Sequence, residues 1–368
     1  MATSSTFTAR DYATGRSYSV AIESGVLAFV TPAADAPPNR FFAPSFFDPQ
    51  INGCLGIGFS SPTLTVDEVY AVVAECAKHG IGGFCPTVIT AGIDTIRHAF
   101  ATLVQARDVT HRIPYFHLEG PYISTDDGPR GAHPKEHVRN PDWAEFQWWQ
   151  DVADGRIRMV TLAPERPGAI RFIGQLVNNG VVAALGHTAA TAEQIRDAVA
   201  AGATVSTHLG NGCQAMVDRH DNPIWEQLSR DELLASVIAD GHHLPPAVLK
   251  VLARGKGPGR IFLTADTGPL AGLAPGRYRH WGQELEVLPG GKIVVPGTPY
   301  LAGGGHFLDT CVANLIRIAG WSLKDAVDAA SIRPRELLGL AVPKLAAGEP
   351  ADFVVFDWEP GGKLKVVT

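Results

Sequence analysis

The sequence predicts an α/β fold: a (β/α)8 TIM-like barrel with a small β-sandwich domain built from both termini. Three observations support this class. The middle of the chain alternates short apolar runs with helical patterns, which indicates a parallel sheet. Eight such units over about 300 residues fit a closed barrel, whose usual size is roughly 250 residues plus insertions. Strand-like runs occur at both ends of the chain, and chain termini commonly lie close together.

The two ends of the chain carry the small domain. Residues 1–40 alternate polar and apolar residues in short runs, such as 17–22 and 26–30, which suggests antiparallel strands, and 351–356 and 364–367 are strand-like as well. A proline-rich stretch at 32–38 closes the first block. We therefore predict a small β domain made of residues 1–45 and 343–368, and a barrel over residues 46–342.

Each predicted barrel strand is a short apolar run that ends in polar residues. The eight strands are predicted at 41–48, 82–90, 115–119, 158–163, 181–187, 204–208, 235–240 and 261–266. Helical periodicity fits 65–79, 191–201 and 245–254, and a hairpin with the turn Pro289-Gly290-Gly291 is predicted within 276–295. An open doubly wound sheet is the alternative, but it would need a helix directly after a glycine-rich first turn, and 52–58 has the glycines without that helix.

Composition favours a cytoplasmic enzyme that acts on small molecules. The 368 residues are 45% hydrophobic and 18% charged, with a formal net charge of −6 and no Lys/Arg run, so we expect no nucleic-acid partner. The first twenty residues do not resemble a signal peptide, and no window approaches the roughly 18 apolar residues of a membrane helix. Five scattered cysteines without a CxxC pair indicate a reducing compartment.

Four predicted strands end in residues that suit metal-assisted hydrolysis. Glu119, His187 and His208 end the third, fifth and sixth strands, and barrel active sites lie at these ends. One carboxylate and two imidazoles form a typical catalytic metal site with a position open for water. Asp266 ends the eighth strand and is the candidate proton carrier. Each residue alone could be structural, but four polar strand ends at one mouth favour function, because half-desolvated polar groups are costly.

Ordered motifs around these residues resemble a known family. They are His117-Leu118-Glu119-Gly120-Pro121, Gly131-Ala132-His133-Pro134, Leu162-Ala163-Pro164-Glu165, Leu185-Gly186-His187-Thr188, Thr207-His208-Leu209-Gly210-Asn211, Asp240-Gly241-His242-His243 and Leu263-Thr264-Ala265-Asp266. Together they resemble the N-acetylglucosamine-6-phosphate deacetylase family of the amidohydrolase superfamily. The resemblance runs from about residue 46 to residue 340.

The resemblance implies a role for each matching residue. It implies one divalent metal, usually zinc, bound by Glu119, His187 and His208, although iron and cobalt accept the same donors. It further implies a homodimer and a small N-acetylated sugar as substrate. The implied roles of the remaining residues are general base and then acid for Asp266, polarisation of the acetyl carbonyl for His133, and sugar binding for Asn211, Gly212 and His243.

This chain departs from the superfamily on the first strand. Many members carry His-x-His there for a second metal, whereas this chain has Gln50 and Asn52. Neutral amides are weak ligands for a transition metal, so we expect one metal and count both amides among the candidate substrate-binding residues. Hydrogen bonding of the two amides to the loop backbone is the alternative.

The binding of a sugar phosphate depends on less specific signals. Family members usually place an arginine after the sixth strand to hold the phosphate across a dimer interface, and Arg219 is the candidate because guanidinium suits phosphate. Asp218 and Asp221 flank Arg219 and offer it an alternative pairing. Before the last helix, glycines 303–305 could let a substrate approach the backbone, and His306 follows them as a candidate without an assigned role.

The leading functional hypothesis is hydrolytic removal of acetyl from an N-acetylated amino sugar, N-acetylglucosamine 6-phosphate. A second is a related amidohydrolase that acts on an unphosphorylated N-acyl sugar or N-acyl amino acid. A third is a catalytically inactive barrel that serves as a scaffold. The third predicts broken ligands, whereas Glu119, both histidines and Asp266 are present.

Overall fold

The computed structural model describes residues 4–367. Its strands, in chain order, are β1 (Ser4–Asp11), β2 (Ser17–Glu23), β3 (Val26–Pro32), β4 (Arg40–Pro44), β5 (Phe46–Ile51), β6 (Gly53–Cys54), β7 (Ile57–Gly58), β8 (Ile81–Ile89), β9 (Phe116–Glu119), β10 (Ile157–Leu162), β11 (Val182–Leu185), β12 (Val205–Ser206), β13 (Leu234–Ile238), β14 (Ile261–Thr264), β15 (Gly276–His280), β16 (Gln283–Val287), β17 (Ile293–Val294), β18 (Phe353–Asp357) and β19 (Lys365–Val366).

The helices lie mostly between the barrel strands. They are α1 (Val66–Lys78), α2 (Ile93–Gln105), α3 (Asp127–Arg130), α4 (Trp143–Val152), α5 (Ala169–Asn178), α6 (Ala192–Ala200), α7 (Pro223–Ser229), α8 (Pro246–Lys256), α9 (Leu308–Asn314), α10 (Leu323–Ala330) and α11 (Ile332–Leu337). Short 3-10 turns cover Arg107–Val109, Lys135–His137 and Pro258–Arg260, and a π-helical turn covers Leu315–Ala319.

Eight parallel strands form the barrel in sequential order, from β5 through β8 to β14. The predicted barrel class is therefore confirmed. Several strands end earlier than predicted: β11 ends at Leu185, β12 at Ser206 and β14 at Thr264. The candidate site residues after them lie two positions beyond the last strand residue, in the loops at the barrel mouth.

A side chain closes the seam between the first and last barrel strands. The carboxylate of Asp48 on β5 accepts a hydrogen bond from Thr264 Oγ1 at 2.6 Å and another from the Ala265 N–H at 2.9 Å. Beyond the strand ends, the Asn52 N–H donates to the Thr267 carbonyl at 2.9 Å. Asp48 is fully buried. Its hydrogen bonds to Thr264 and Ala265 connect β14 and the loop that follows it to β5.

Strands from both termini form one six-stranded mixed sheet in the order β19-β18-β4-β1-β2-β3. The β1 and β4 strands are parallel, and the other neighbours are antiparallel. A cluster that includes Val20, Leu27 and Phe42 packs on it, while Phe356 joins the core of the barrel. The predicted assembly of a small β domain from both ends is thus confirmed. The division into 1–45 with 343–368 and 46–342 remains our proposal.

Helix starts follow the sequence signals closely. Thr65 caps α1 and Thr191 caps α6, each in a reciprocal capping box with the residue three positions on. After β14 the predicted hairpin is present as β15 and β16, and β17 adds a third short strand. No helix among residues 4–367 is long and apolar enough to cross a membrane.

Candidate active site

Three side chains meet at the C-terminal mouth of the barrel. The Nε2 atom of His187 lies 3.1 Å from Oε1 of Glu119, and Nε2 of His208 lies 3.1 Å from the same oxygen. The two Nε2 atoms are 3.1 Å apart. All three side chains are buried. The structure therefore brings together the three residues that the sequence marked as candidate ligands.

The hydrogen bonds of His187 show that this cluster suits a cation. Its Nδ1 lies 2.8 Å from the Pro129 carbonyl, which can only accept, so Nδ1 carries the proton. Nε2 faces the Glu119 oxygen, which is also an acceptor, so either a second ring proton or a cation must lie between these two atoms. Zinc ligand bonds of about 2.0–2.2 Å in a tetrahedral site separate the donor atoms by about 3.3 Å. The observed spacing therefore fits a divalent metal.

His133 lies beside this cluster. Its Nε2 is 4.0 Å from Oε2 of Glu119, its ring centre is 4.3 Å from that of His187, and its Nδ1 is 2.8 Å from the Thr90 hydroxyl oxygen. Glu119, His133 and His187 form an alternative donor set, with ligand atoms within 4.8 Å of one another. The set with His208 is tighter because all its separations are 3.1 Å.

Two amides hold the carboxylate of Asp266. The Gln50 Nε2 donates to Oε1 of Glu119 and to Oδ1 of Asp266, both at 2.9 Å. The Asn52 Nδ2 donates to the same Asp266 oxygen at 2.7 Å. Both amide groups therefore donate to carboxylates, in place of the loop-backbone bonds considered as the alternative. Oδ1 of Asp266 receives two donors, which leaves Oδ2 available for proton exchange.

Several site residues at the C-terminal mouth of the barrel have a left-handed backbone conformation. Seven non-glycine residues have a positive φ in the described part of the chain, among them His187 (φ 50°), His208 (φ 31°) and Asp266 (φ 49°). A left-handed conformation costs a non-glycine residue roughly 1–2 kcal/mol. Such strain persists where surrounding structure imposes it, and it concentrates at functional sites. Its presence at three barrel loops supports a functional site here.

The two carboxylates of the site have opposite pKa shifts. Burial raises the pKa of Asp266 to about 6, and the negative charge of Glu119 adds to the effect. Burial also opposes ionisation of Glu119, but the imidazoles of His187 and His208 hold its pKa well below the usual range. Burial and the neighbouring His187 lower the pKa of His133 to about 3, so its ring is neutral near pH 7. Such separation of two carboxyl groups is typical of acid–base catalysis.

A cavity of about 380 Å³ opens above the cluster, and the predicted sugar-binding residues Asn211, Gly212 and His243 line it. His243 is fixed from behind by Asp240, whose Oδ2 lies 2.8 Å from the ring Nδ1. The other oxygen of Asp240 accepts the backbone N–H groups of His242 and His243. Because a carboxylate can only accept, Nδ1 of His243 donates and its Nε2 is left as an acceptor.

Three of the predicted substrate-binding residues, Gln50, Arg219 and His306, do not line the cavity of their own chain. Arg219 lies in the exposed segment 214–221, does not line the cavity and forms no salt bridge with the described residues. The alternative pairing with Asp218 or Asp221 is not seen among the described residues. His306 lies behind the rim, with Nε2 3.0 Å from the Gly290 carbonyl and 3.4 Å from Nε2 of His242.

Several contributors were missed by the sequence reasoning. Thr90 supports His133, and its position after the second barrel strand was an available signal. Asp48 was visible as a carboxylate in an apolar strand. Trp281, Lys292 and Tyr300 line the cavity from the segment that carries β15–β17. No sequence signal pointed to these three, because an insertion after the last strand lies outside the regular pattern of strand ends.

An eight-stranded barrel that carries a Glu/His/His cluster able to hold a metal, with a buried carboxylate beside it, is typical of metal-dependent hydrolases. Residues 41–368 match the Amidohydrolase family. Human N-acetylglucosamine-6-phosphate deacetylase is 37% identical over 336 residues, which cover 86% of this chain and 80% of the human protein. The N-acetylgalactosamine-6-phosphate deacetylase of Escherichia coli O157:H7 is 30% identical over 344 residues, covering 91% and 89%.

A solved structure agrees with these relatives. A mutant of N-acetyl-D-glucosamine-6-phosphate deacetylase from Mycobacterium smegmatis, in complex with N-acetyl-D-glucosamine-6-phosphate, is 33% identical with a TM-score of 0.85, covering 99% of this chain and 100% of that one. The chain belongs to the amidohydrolase family and, within it, to the N-acetylglucosamine-6-phosphate deacetylase family. It is a hydrolase that acts on an amide, as the sequence predicted.

Proposed function

We propose that this chain removes the acetyl group from N-acetylglucosamine 6-phosphate, giving acetate and the free amino sugar phosphate. The observation that carries the proposal is the meeting of Glu119, His187 and His208 beside Asp266 at the base of one cavity. The human relative and the mycobacterial complex carry names that specify this substrate.

The metal is part of the proposal. Glu119, His187 and His208 would hold one divalent ion, zinc first, with iron or cobalt able to replace it. When bound, it supplies an activated water and polarises the acetyl carbonyl. Gln50 and Asn52 favour a single ion, because their neutral amides donate hydrogen bonds to the carboxylates where a second ion would need electron-pair donors.

Asp266 carries the proton in the proposed reaction. Its Oδ2 accepts the proton as the water oxygen bonds to the acetyl carbon. It then returns that proton to the amide nitrogen as the C–N bond breaks, so acetate and an amine leave. We assign the Thr90 hydroxyl as the donor to Nδ1 of His133, which leaves the ring proton on Nε2. This N–H donates a hydrogen bond to the carbonyl oxygen, where negative charge develops, and keeps its proton throughout. Asn211, Gly212 and His243 bind the sugar.

A homodimer and a cytoplasmic location complete the proposal. Met216 (89% exposed), Val217 (38%) and Trp225 (49%) lie on the same stretch as Arg219, and such apolar exposure favours a protein interface. Arg219 would then contact the substrate phosphate in the cavity of the partner chain. The cysteines of the described chain are all free, with Cys54, Cys76, Cys85 and Cys311 buried, which suits a reducing compartment.

Acetate release from four compounds tests the proposal: N-acetylglucosamine 6-phosphate, its unphosphorylated form, N-acetylgalactosamine 6-phosphate and an N-acetyl amino acid. We expect the first to react fastest by kcat/KM. The galactosamine compound is the second candidate, because the Escherichia coli relative carries that substrate in its name. Equal rates with and without phosphate would remove the phosphate claim, and no acetate from any sugar would overturn the function.

A further inference from the structure

Charge is distributed unevenly along the cavity. Its lining carboxylates are Glu119 and Asp266, both at the base where the acetyl group would react. Lys292 is the one Lys or Arg side chain that lines the cavity among residues 4–367, and it lies on the inserted segment at the rim. Its ammonium forms no hydrogen bond or salt bridge with that part of the chain. A cavity with an acidic base and an unpaired cation at its rim suits a substrate whose far end is an anion.

The turn that carries Lys292 is held in place from two barrel loops. The Gly290 carbonyl accepts from Nε2 of His242 at 3.1 Å and from Nε2 of His306 at 3.0 Å. The turn closes through a 2.8 Å bond from the Leu288 N–H to the Lys292 carbonyl. Gly291 has φ +86°, and a Cβ there would lie 3.0 Å from the His306 ring. The imidazoles therefore hold the backbone of the turn that carries Lys292, and this gives His306 a role in positioning the turn.

We propose that Lys292 binds the 6-phosphate of the substrate within its own chain; this rests on the proposed function. An ammonium and a phosphate form a charge-assisted hydrogen bond, which is stronger at a partly enclosed rim than in open water. Arg219 does not line this cavity, so in a single chain the positive charge comes from Lys292. His242 and His306 are positioning residues for the turn.

The test compares Lys292→Gln with Arg279→Gln. Arg279 lies on β15 of the same inserted segment, is exposed and has no salt-bridge partner among the described residues, so both variants remove one positive charge from that segment. We expect Lys292→Gln to lower kcat/KM for N-acetylglucosamine 6-phosphate by roughly 10- to 100-fold, mainly through KM, as for a lost hydrogen bond to a charged group. The unphosphorylated sugar should react at an unchanged rate, and Arg279→Gln should change neither.

Two further arms separate the possible failures. Lys292→Arg should retain most of the preference for the phosphorylated sugar, because it keeps the charge. If Lys292→Gln keeps the full preference, or if Arg219→Gln abolishes it and Lys292→Gln does not, the inference is wrong and the phosphate is held elsewhere. If the unmodified protein shows no preference or releases no acetate, the proposed function fails, independently of Lys292.

Discussion

At the scale of single residues, the two carboxylate oxygens of Asp266 differ, because Oδ1 accepts two side-chain hydrogen bonds and Oδ2 accepts none from a side chain in the described part of the chain. The amides of Gln50 and Asn52 both donate to Oδ1. An Asp266→Asn variant can keep these bonds through its amide oxygen, but it cannot take a proton. We expect kcat to fall by about 10²- to 10⁴-fold, the usual contribution of a general base, with the metal content unchanged. Steady-state assays with elemental analysis measure both, and near-normal turnover would exclude Asp266 as the base.

The ligand histidines should behave differently from Asp266. We expect His187→Ala and His208→Ala to lose metal together with activity, because each removes a third of the proposed donor set. His220→Ala, in the exposed loop, is the control and should retain both. The measurement is metal content after dialysis. Full occupancy in both ligand variants would refute the assignment and favour the alternative set with His133.

A buried carboxylate behind the site predicts a pH dependence of stability. Burial alone would raise the pKa of Asp240, but the hydrogen bonds from His243 and His242 lower it to about 2. The unfolded pKa is about 3.9, so the folded state favours the ionised form. The stabilisation, about 2 kcal/mol, is complete above pH of about 4 and lost as the pH falls towards 2.

Urea unfolding at pH 7, 4 and 3 tests this expectation. Asp240→Asn should be less stable than the unmodified protein by about 2 kcal/mol at pH 7, and the difference should shrink as the pH falls. Asp94→Asn, at a side chain that is 88% exposed, should show little effect at any pH. A difference that does not change with pH would show that the ionisation of Asp240 is not its source.

At the scale of elements, the loop before α9 lies directly against the end of β14. The Gly304 N–H donates to the Asp266 carbonyl at 2.7 Å, and the Gly268 N–H donates to the Gly304 carbonyl at 2.7 Å. A Cβ on Gly304 would lie 2.1 Å from the Ala265 backbone oxygen. Either the loop or the end of β14 must move to accept one methyl group, and Asp266 lies at that end.

Gly304→Ala should therefore impair both stability and catalysis. We expect a loss of about 1–3 kcal/mol in the free energy of unfolding, as for other overpacked sites, and a drop in kcat of at least about tenfold. Gly174→Ala is the control: its Cβ would meet nothing within 4 Å in α5, so it should stabilise the protein slightly. Unfolding curves and kcat report the two effects, and normal values for Gly304→Ala would contradict the packing argument.

At the scale of the whole molecule, one buried arginine joins the terminal sheet to the barrel. Arg335 on α11 is 3% exposed. Its Nη1 donates to the Ser45 carbonyl at 2.7 Å, and its Nη2 donates to the Ser45 hydroxyl at 2.8 Å and to Asp352 at 3.3 Å. Ser45 separates β4 from β5, and Asp352 directly precedes β18. Arg335 therefore bonds to both crossings between the sheet and the barrel.

Arg335→Met should lower the free energy of unfolding by about 3 kcal/mol, because it leaves buried acceptors without a donor. Thermal or urea unfolding measures the change. Arg277→Met, at a surface salt bridge on β15, should cost less than about 1 kcal/mol. A similarly small loss for Arg335→Met would show that the two parts are joined mainly by apolar packing.

The order of strands and the location of the candidate ligands could be predicted because both depend on local signals. Strand-forming apolar runs and capping residues such as Thr65 and Thr191 act over a few positions. The strand ends were placed up to two residues too late at His187, His208 and Asp266, because nothing in these residue types signals a positive φ. The surrounding structure imposes that conformation.

Residue patterns within single segments were enough to predict the barrel class, the return of the chain to a terminal sheet, and which polar side chains lie at the strand ends. The partners of these side chains became visible in the folded chain: Asp48 bonds to Thr264 across 216 residues, and Gln50 bonds to both Glu119 and Asp266. Likewise, the fold places Lys292 in the lining of the cavity and leaves Arg219 outside it. The physical reason is range. Periodicity and capping act between neighbours in the chain, whereas a hydrogen bond between distant residues exists only once packing has brought its donor and acceptor together.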